Sequence, residues 1–171
     1  MAYTKSGLYL HSFHEALIAT ALTGTGGFNL TLATYKLSLV SSSVTDGSSP
    51  VNFSTTDSHW VNTNEVTGTG WSTGGVALSA LATGSTSAVP TFAEGTTGSL
   101  RYDHTNDASV ASTTLTNVQG CTIYADPLTA PADMVDAMIV NVCFGSAYST
   151  VAGTFAITWA ATGIFEIDMT P

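Results

Sequence analysis

Hydrophobic and polar residues alternate most clearly near the C-terminal end of the chain. Phe155, Ile157 and Trp159 are separated by small or polar residues, and a similar alternation resumes over Phe165–Met169. A period of two residues indicates β-strands with one buried face. The link Ala160–Gly163 has the length of a tight hairpin and ends in a glycine, which can adopt a positive φ. This part of the chain is therefore predicted to form two antiparallel strands.

Four further segments have strand-like patterns. Val118–Tyr124 carries no charge on either face, and Met138–Phe144 is apolar at nearly every position, as expected for strands buried on both sides. Apolar and polar residues alternate over Ala33–Leu39, which indicates a half-buried strand. Leu100–Tyr102 is predicted to be a short strand.

The N-terminal part of the chain shows a helical period instead. Apolar residues recur at near-helical spacing within Gly7–Leu22, at Leu10, Phe13, Leu17, Ile18 and Ala21. Ser6 is the expected N-cap of this helix. A cluster of glycines is expected to end it, at Gly24, Gly26 and Gly27.

These patterns predict a mainly β protein, an antiparallel β-sandwich with one N-terminal α-helix. A chain of 171 residues is long enough for one substantial core. No charged or proline-rich linker divides it, so we expect a single domain over residues 7–171. Residues 1–6 are expected to form an arm that reaches a neighbouring molecule. The polar stretches 41–58 and 82–98 are expected to be loops.

The stretch Asn64–Leu78 (NEVTGTGWSTGGVAL) is the most conformationally specialised part of the sequence. It places four glycines around Trp71, at Gly68, Gly70, Gly74 and Gly75. Glycine allows positive φ and close approach of the backbone to other groups. The glycines match neither a phosphate-binding loop, since no lysine follows them, nor the spacing of a dinucleotide-binding motif. The stretch is predicted to form turns that position Trp71 and lead into a strand over residues 75–80.

The charge balance limits the classes of partner. The chain has 12 acidic and three basic residues, and its net charge is −9. Three bases are too few to hold nucleic acid, and an acidic surface does not bind an anionic membrane. No apolar run reaches the ~18 residues of a membrane span. The N-terminus lacks the features of a signal peptide, so we expect synthesis in the cytoplasm.

The two cysteines, Cys121 and Cys143, lie in strand-like runs. We expect each to be a buried free thiol, because cysteine is among the most often buried residue types. A disulfide between neighbouring strands is the alternative, which depends on the separation of the two Cα atoms.

No arrangement of residues predicts catalysis, a cofactor or a metal site. His11 and His14 can share a helix face but lack further ligands nearby in the sequence. Asp103–Asp107 is rich in oxygen atoms but lacks the spacing of a calcium loop. Glu166 and Asp168 are explained by a solvated strand face at least as well as by a glycosidase pair. The protein is therefore predicted not to be an enzyme.

Several motifs resemble those of small virion proteins of tailed bacteriophages. A segment similar to Asn64–Leu78 follows an opening helix and a strand similar to Tyr35–Leu37 in those proteins. A strand similar to Cys121–Asp126 and a final element similar to Asn141–Gly145 and Gly153–Phe165 come next, in the same order. The resemblance covers most of the chain.

The chain departs from that pattern at three positions. Trp71 stands where tyrosine is usual, and Ala125 and Cys143 stand where aspartate is usual. Because two acids are missing, the resemblance implies no metal role at those positions.

The resemblance implies a structural protein of the virion, of the capsid decoration or minor capsid type. Such a protein would bind the outer face of the phage head, contact the major capsid protein and stabilise the shell. We expect it to form a homo-oligomer, with a trimer as the expected form. The alternatives are a tail or neck component and, from a different class, a carbohydrate-binding or adhesion domain.

Trp71, Trp60 and Tyr9 are the candidate interface residues, because aromatic side chains are enriched at the energetic centres of protein interfaces. The alternative is that each is a core residue whose polar N–H or O–H group has found a partner inside the protein.

Overall fold

The computed structural model describes residues 3–18, 30–31, 35–46, 48, 50–53, 59–78, 90–95, 98–104, 108–126 and 136–170. The elements within them are β1 (Gly7–Leu8), α1 (Leu10–Ile18), β2 (Tyr35–Ser41), a 3-10 turn (Asn62–Asn64), β3 (Glu65–Val66), β4 (Val76–Ala77), β5 (Thr91–Glu94), β6 (Ser99–Asp103), β7 (Ala108–Ala125), β8 (Met138–Ile157) and β9 (Phe165–Asp168). The protein is mainly β, with antiparallel sheets and a short N-terminal helix, so the predicted fold class is confirmed. No helix in these ranges is long and apolar enough to cross a membrane.

The strands form two antiparallel sheets. The larger sheet has the order β1-β8-β7-β2-β3, with β4 also paired to β2, and the smaller sheet has the order β5-β6-β9. β7 and β8 pair along almost their whole length. β2 pairs only with the second part of β7, Val118–Ala125. The first part of β7 and the second part of β8 therefore extend beyond the other strands of the larger sheet.

The larger sheet is covered by apolar side chains on both faces. Leu39 and Ile123 belong to the main core, which also contains Tyr102 of the smaller sheet. Their sequence neighbours Val40 and Tyr124 belong to a second cluster. Because successive residues of a strand point to opposite faces, the second cluster lies on the other side of the sheet. This explains why Val118–Tyr124 and Met138–Phe144 lack the simple alternation of a half-buried strand.

The helix begins later than the sequence pattern predicts, and Leu10 of the predicted apolar stripe is not buried. It begins at Leu10, because Gly7–Leu8 pairs with β8 as a strand. Leu10 is exposed, whereas Ser12 is buried and donates a hydrogen bond from its hydroxyl to the carbonyl of Met138 at 2.5 Å. The predicted N-cap is also wrong, since the hydroxyl of Ser6 accepts a hydrogen bond from the N–H of Cys143.

The predicted N-terminal arm is wrong for residues 3–6, which pack on their own domain. Tyr3 is completely buried in the second cluster. The backbone N–H of Thr4 donates to the carboxylate of Asp46 at 3.1 Å. Burial of the Tyr3 ring and the hydrogen bonds of Thr4 and Ser6 together offset the entropy cost of ordering this segment.

Three predictions about strands need correction. Ala160–Gly163 forms a tight turn, with Gly163 at a φ of 89°, but the strands on either side do not form a hairpin. β9 pairs with β6 of the smaller sheet instead, so this turn passes the chain from one sheet to the other. Thr91–Glu94 is a strand rather than a loop. β7 and β8 are both longer than predicted.

Both cysteines are free thiols, as expected. Cys121 is buried, and burial raises the pKa of its thiol well above the usual range. Cys143 is only half-buried, so the expectation of complete burial is wrong for this residue.

Some predictions concern residues outside the described ranges. These are the end of the predicted helix with Gly24, Gly26 and Gly27, the start of the strand at Ala33, the strand residues 79–80, the loop residues 54–58 and 82–89, and Thr105–Asp107.

Candidate functional site

The glycine-rich stretch Asn64–Leu78 contains two backbone turns. Gly70, Gly74 and Gly75 have positive φ angles of 81°, 82° and 69°, as the sequence predicts. Gly68 and Trp71 exchange backbone hydrogen bonds across the first turn, at 2.9 and 3.0 Å. The carboxylate of Glu65 accepts hydrogen bonds from the N–H groups of Gly74 and Gly75, at 3.0 and 2.9 Å, which fastens the second turn. The stretch therefore folds onto itself and leaves these amides with partners inside the protein.

The fourth glycine, Gly68, serves close approach rather than a positive φ. A Cβ atom at this position would lie 2.0 Å from the carbonyl oxygen of Thr114 in β7. The neighbouring carbonyl of Thr69 accepts a hydrogen bond from the N–H of Thr114 at 3.3 Å. The glycine-rich stretch is thus a strap that lies against β7.

Trp71 points into the main core and not toward a partner. Its side chain is 1% exposed, and its ring meets Phe155 edge to face with 5.9 Å between the ring centroids. No hydrogen-bond acceptor among the described residues reaches its indole N–H. Its predicted interface role is therefore wrong in this structure, because the turns at Gly68 and Gly70 direct the ring inward.

Trp60 and Tyr9 also lie in the interior. Trp60 is 7% exposed and stacks on Tyr124 with 5.4 Å between centroids. Tyr9 is fully buried, and its hydroxyl donates to the carbonyl of Pro50. Their predicted interface role is wrong for the same physical reason as for Trp71: large rings that the fold can enclose gain more from core packing than from exposure.

Two exposed large apolar side chains lie on the part of β7 and β8 that extends beyond the other strands, and others lie at Leu10, Val61 and Met169. We call residues 108–117 of β7 and 144–157 of β8 the ribbon. Tyr148 is 50% exposed and Val151 is 85% exposed on it. The chain has no charged residue between Asp107 and Asp126, nor between Asp136 and Glu166, so the ribbon carries no charge at all. An uncharged surface on a protein of net charge −9 is a candidate contact surface.

A groove of about 560 Å³ runs along β8 in this ribbon. It is lined by Phe144, Tyr148, Ser149, Thr150 and the run Thr154–Thr158. Successive strand residues point to opposite faces, so a groove that touches five consecutive residues follows the backbone edge of the strand. Phe144 and Tyr148 form its other wall and meet edge to face with 6.2 Å between centroids.

The ribbon also contains unusual backbone conformations. Ser112, Asn117 and Ala152 have positive φ angles of 57°, 58° and 49°. The pairing of β7 with β8 shifts register several times in the same region. Left-handed conformations cost about 1–2 kcal/mol for residues other than glycine. The surrounding packing holds these residues in the left-handed conformation. Register shifts of this kind bend a pair of strands and are over-represented near functional regions.

A second polar region surrounds Lys36 on the larger sheet. Its ammonium pairs with the carboxylate of Asp126. Burial, and then the charge of Asp126, raise the pKa of Asp136 above its usual value, while His59 and Lys36 oppose this rise. Tyr124 nearby donates its hydroxyl to the carbonyl of Gly74 at 2.5 Å. These groups form internal pairs that tie β2, β7 and the glycine-rich stretch together.

The other polar residues considered from the sequence lie apart from the ribbon groove. His14 contacts its neighbour Glu15 at 3.2 Å on the exposed face of the helix, and His11 is half-buried. Glu166 accepts a hydrogen bond from Ser99, and Asp168 accepts one from Thr170 at 2.6 Å. Among the residues the structure describes, no three His, Cys, Asp or Glu side chains are arranged to hold a metal ion.

The sequence interpretation missed Tyr148, Val151 and the groove. The signal in this region is neither a turn motif nor an aromatic anchor but the absence of charge over two long segments. Charged residues are scarce throughout the chain, so two segments without charge do not stand out in the sequence. They also do not show which strand lies at the edge of a sheet.

No protein-family model matches the chain, and neither the comparison with curated proteins nor the comparison with solved structures found a match.

Proposed function

We propose that this chain is a non-enzymatic structural protein of a tailed-bacteriophage particle, which binds the outer face of the head as a decoration or cement protein and stabilises it. The observation that carries the proposal is the uncharged ribbon with its edge groove on an otherwise acidic protein. The resemblance of Asn64–Leu78 and the later motifs to phage virion proteins supports the same conclusion.

The distribution of charge supports an outer location in the particle. Twelve acidic and three basic residues repel packaged nucleic acid, which favours the side of the shell away from the genome. The ribbon has no charged side chain, so no charge has to be desolvated when it contacts a protein surface. The ribbon is therefore the surface that we assign to contacts with the major capsid protein and with other copies.

The polar groups of the described residues support a structural role over a catalytic one. The carboxylates of Glu65 and Asp126 are engaged by backbone amides and by Lys36 respectively. Burial raises the pKa values of Tyr3 and Cys121, which keeps both groups protonated and weakly nucleophilic at neutral pH.

Thermal rupture of particles tests the stabilising role. Particles that lack the chain are mixed with the recombinant protein and heated while release of the genome is followed with a DNA-binding dye. A protein that binds the assembled shell better than free subunits raises the rupture temperature by mass action. Equal rupture temperatures with and without the protein contradict the proposal.

Two matched variants test the role of the ribbon in that experiment. Thr154→Lys places a charge in the groove, whereas Thr63→Lys places the same charge on an exposed turn elsewhere. We expect Thr154→Lys to lose most of the stabilisation and Thr63→Lys to keep it. Equal stabilisation by the two variants argues against the ribbon as the contact surface.

A tail or neck component is the alternative within the same class. Gold-labelled antibodies against the chain, viewed on intact particles by electron microscopy, separate the two locations. Label on the head supports the proposal, and label confined to the tail or neck replaces it.

A carbohydrate-binding domain is the alternative from a different class. Trp71 does not supply a sugar-stacking surface, because its ring is buried. Tyr148 now supplies the relevant observation, since it is half exposed in a groove lined with serine and threonine hydroxyls. Glycan binding that Tyr148→Ala abolishes would favour this function, and a glycan array without hits would eliminate it.

A further inference from the structure

We infer that the side chains of Lys36 and Asp126 condense into an isopeptide bond, with Asp136 as the group that transfers protons during the reaction. The bond joins β2 to the residue that directly follows β7 in the same chain, and the ion pair in the structure is the state before the bond forms. The inference goes beyond the proposed function, because it concerns a covalent modification and does not depend on what the protein binds.

The two bonding residues lie side by side on one face of the larger sheet. Lys36 lies opposite Tyr124 in the pairing of β2 with β7, and Asp126 follows Tyr124 by two residues. Residues two apart in an extended chain point to the same face, so Asp126 points to the face that carries Lys36. The ammonium of Lys36 contacts the carboxylate of Asp126 there. The reacting nitrogen is therefore already next to the carboxyl group.

Asp136 approaches the same carboxyl group from β8, on the other side of β7. The N–H of Ala125 donates a hydrogen bond to the carbonyl of Ala137 at 2.9 Å. Asp126 follows Ala125 and Asp136 precedes Ala137, so the two aspartates lie opposite each other in this antiparallel arrangement. The Cβ atoms of opposite residues are about 5 Å apart, which brings the two carboxyl groups within reach of each other.

The surroundings favour a neutral amide over two charges. The stacked rings of Trp60 and Tyr124 belong to the apolar cluster on this face. The side chains of Lys36 and Asp126 are only 34% and 23% exposed, so both charges have lost part of their hydration. The bond removes both charges, and with them the repulsion between Asp126 and Asp136. Partial burial, which costs the ion pair free energy, therefore stabilises the product.

The fold also overcomes the unfavourable equilibrium of amide formation in water. Two groups held in a reactive geometry reach effective concentrations of up to about 10⁵–10⁸ M, because their freedom of motion is already lost. Lys36 and Asp126 are held by adjacent paired strands. The glycine-rich stretch limits the lysine further, since a Cβ atom at Gly74 would lie 4.0 Å from its Nζ atom.

The reaction needs no external reagent. A proton first passes from the ammonium of Lys36 to the carboxylate of Asp126, which leaves an amine and a carboxylic acid. The lone pair of Nζ then forms a bond to Cγ of Asp126, and an electron pair of the C=O bond moves to its oxygen. Protonated Asp136 donates a proton to the departing hydroxyl group and accepts one from Nζ. The C–O bond breaks, the carbonyl forms again, one water molecule leaves, and Asp136 is regenerated.

The environment of Asp136 suits this role. Burial, and then the charge of Asp126, raise the pKa of Asp136, while His59 and Lys36 oppose the rise. A larger fraction of this carboxyl group is therefore protonated near neutral pH than of an ordinary aspartate. A group that donates a proton in the reaction needs this property.

The intact mass of the denatured chain gives the first test. We expect the 17.6 kDa chain to be lighter than its sequence by one water molecule. Lys36→Arg is the matched variant, because arginine keeps the positive charge beside Asp126 but is not deprotonated in proteins and so cannot form the amide. It should have its full mass. A full mass in the original chain overturns the inference, and so does a water loss that persists in Lys36→Arg, which indicates a succinimide.

Digestion of the denatured chain with trypsin locates the bond. The sequence offers only three cleavage sites, after Lys5, Lys36 and Arg101. A lysine whose amine is acylated is not cleaved, so residues 6–101 should stay whole and remain linked to residues 102–171. Lys36→Arg should instead be cut after residue 36 and release unlinked fragments. Complete cleavage after residue 36 in the original chain contradicts the bond.

The rate of bond formation tests Asp136. Chains made by cell-free synthesis are sampled over time, and the loss of water is followed by mass. Asp136→Asn should form the bond at least about 10-fold more slowly, since general acid–base catalysis contributes about 10²–10⁴-fold. It should still reach the linked form, because both bonding residues remain. Asp168→Asn, at an exposed position of β9, is the control and should keep the original rate. Equal rates for all three chains exclude Asp136 from the reaction.

Thermal unfolding gives an independent readout. The bond closes residues 36–126 into a loop, which restricts the unfolded chain as a disulfide does. We expect the original chain to unfold on the order of 10 °C above Lys36→Arg. Both chains keep a cation at position 36 before any reaction, so this difference reports the covalent bond and not the ion pair. Equal unfolding midpoints contradict the inference.

Discussion

Gly68 and Gly74 lie in the same stretch but need glycine for different reasons. Gly68 has no room for a side chain, because a Cβ atom would lie 2.0 Å from the backbone oxygen of Thr114. At Gly74 a Cβ atom would meet only ordinary contacts, at 3.8 Å and beyond, but the φ of 82° is unfavourable for other residues. One position is limited by the neighbouring strand and the other by its own backbone.

This difference predicts unequal costs for the same substitution. Gly68→Ala must push the strap away from β7, and we expect it to lower the free energy of unfolding by at least about 2 kcal/mol. Gly74→Ala should cost about 1 kcal/mol, the usual penalty of a left-handed conformation. Urea denaturation of both variants measures the two values. Equal losses would mean that the strap does not lie against β7 as closely as the structure shows.

Asp136 provides a test of the electrostatics around Lys36. Burial and the nearby charge of Asp126 raise its pKa, so the folded state binds the proton more tightly than the unfolded state does. Its contribution therefore favours folding at acidic pH and is lost as the pH rises through the folded-state pKa. At pH 7 the carboxylate is ionised, partly desolvated and destabilising.

We therefore expect Asp136→Asn to raise the midpoint of thermal unfolding at pH 7, with a gain that shrinks as the pH falls toward 4. The φ of 55° at this position is compatible with asparagine. Asp168→Asn is the control, and we expect it to change the midpoint in the opposite direction. Hydrogen bonds from Thr170 lower the pKa of Asp168, so its ionised form favours folding. A destabilised Asp136→Asn at pH 7 would contradict the assigned direction.

Among the strands, β7 and β8 show how far sequence patterns reach. Alternation at Phe155 and Ile157 and the apolar run from Met138 to Phe144 identify both ends of β8. The connecting segment contains Gly145 and several exposed residues, so it has neither a helical nor a strand period. It is nevertheless part of one strand, because pairing with β7 maintains the ladder through several register shifts.

Local sequence patterns also do not show which strand pairs with β9. Ala160–Gly163 has the length and the glycine of a hairpin, and the turn itself forms as predicted. β9 nevertheless pairs with β6, where Arg101 lies opposite Glu166 and Tyr102 opposite Phe165. The choice between these partners depends on which sheet completes the core over Tyr102, and this is a property of the assembled sandwich.

For the molecule as a whole, the decisive property is the separation of charge from the ribbon. The acidic residues repel other copies of the chain in solution, whereas the ribbon carries no charge that adds to this repulsion.

The fold class, most strand positions, the turn conformations of Gly70, Gly74 and Gly75 and the acidic character of the surface follow from the sequence alone. Each depends on local properties, namely residue periodicity, the freedom of glycine and the sum of charges. Tertiary structure decided that Trp71, Trp60 and Tyr9 lie inside and that Tyr148 lies in an exposed groove. An aromatic residue in a strand or turn can face either way until the second layer of the fold covers one side. The edge of a strand consists of backbone groups, so no pattern of residue types identifies it.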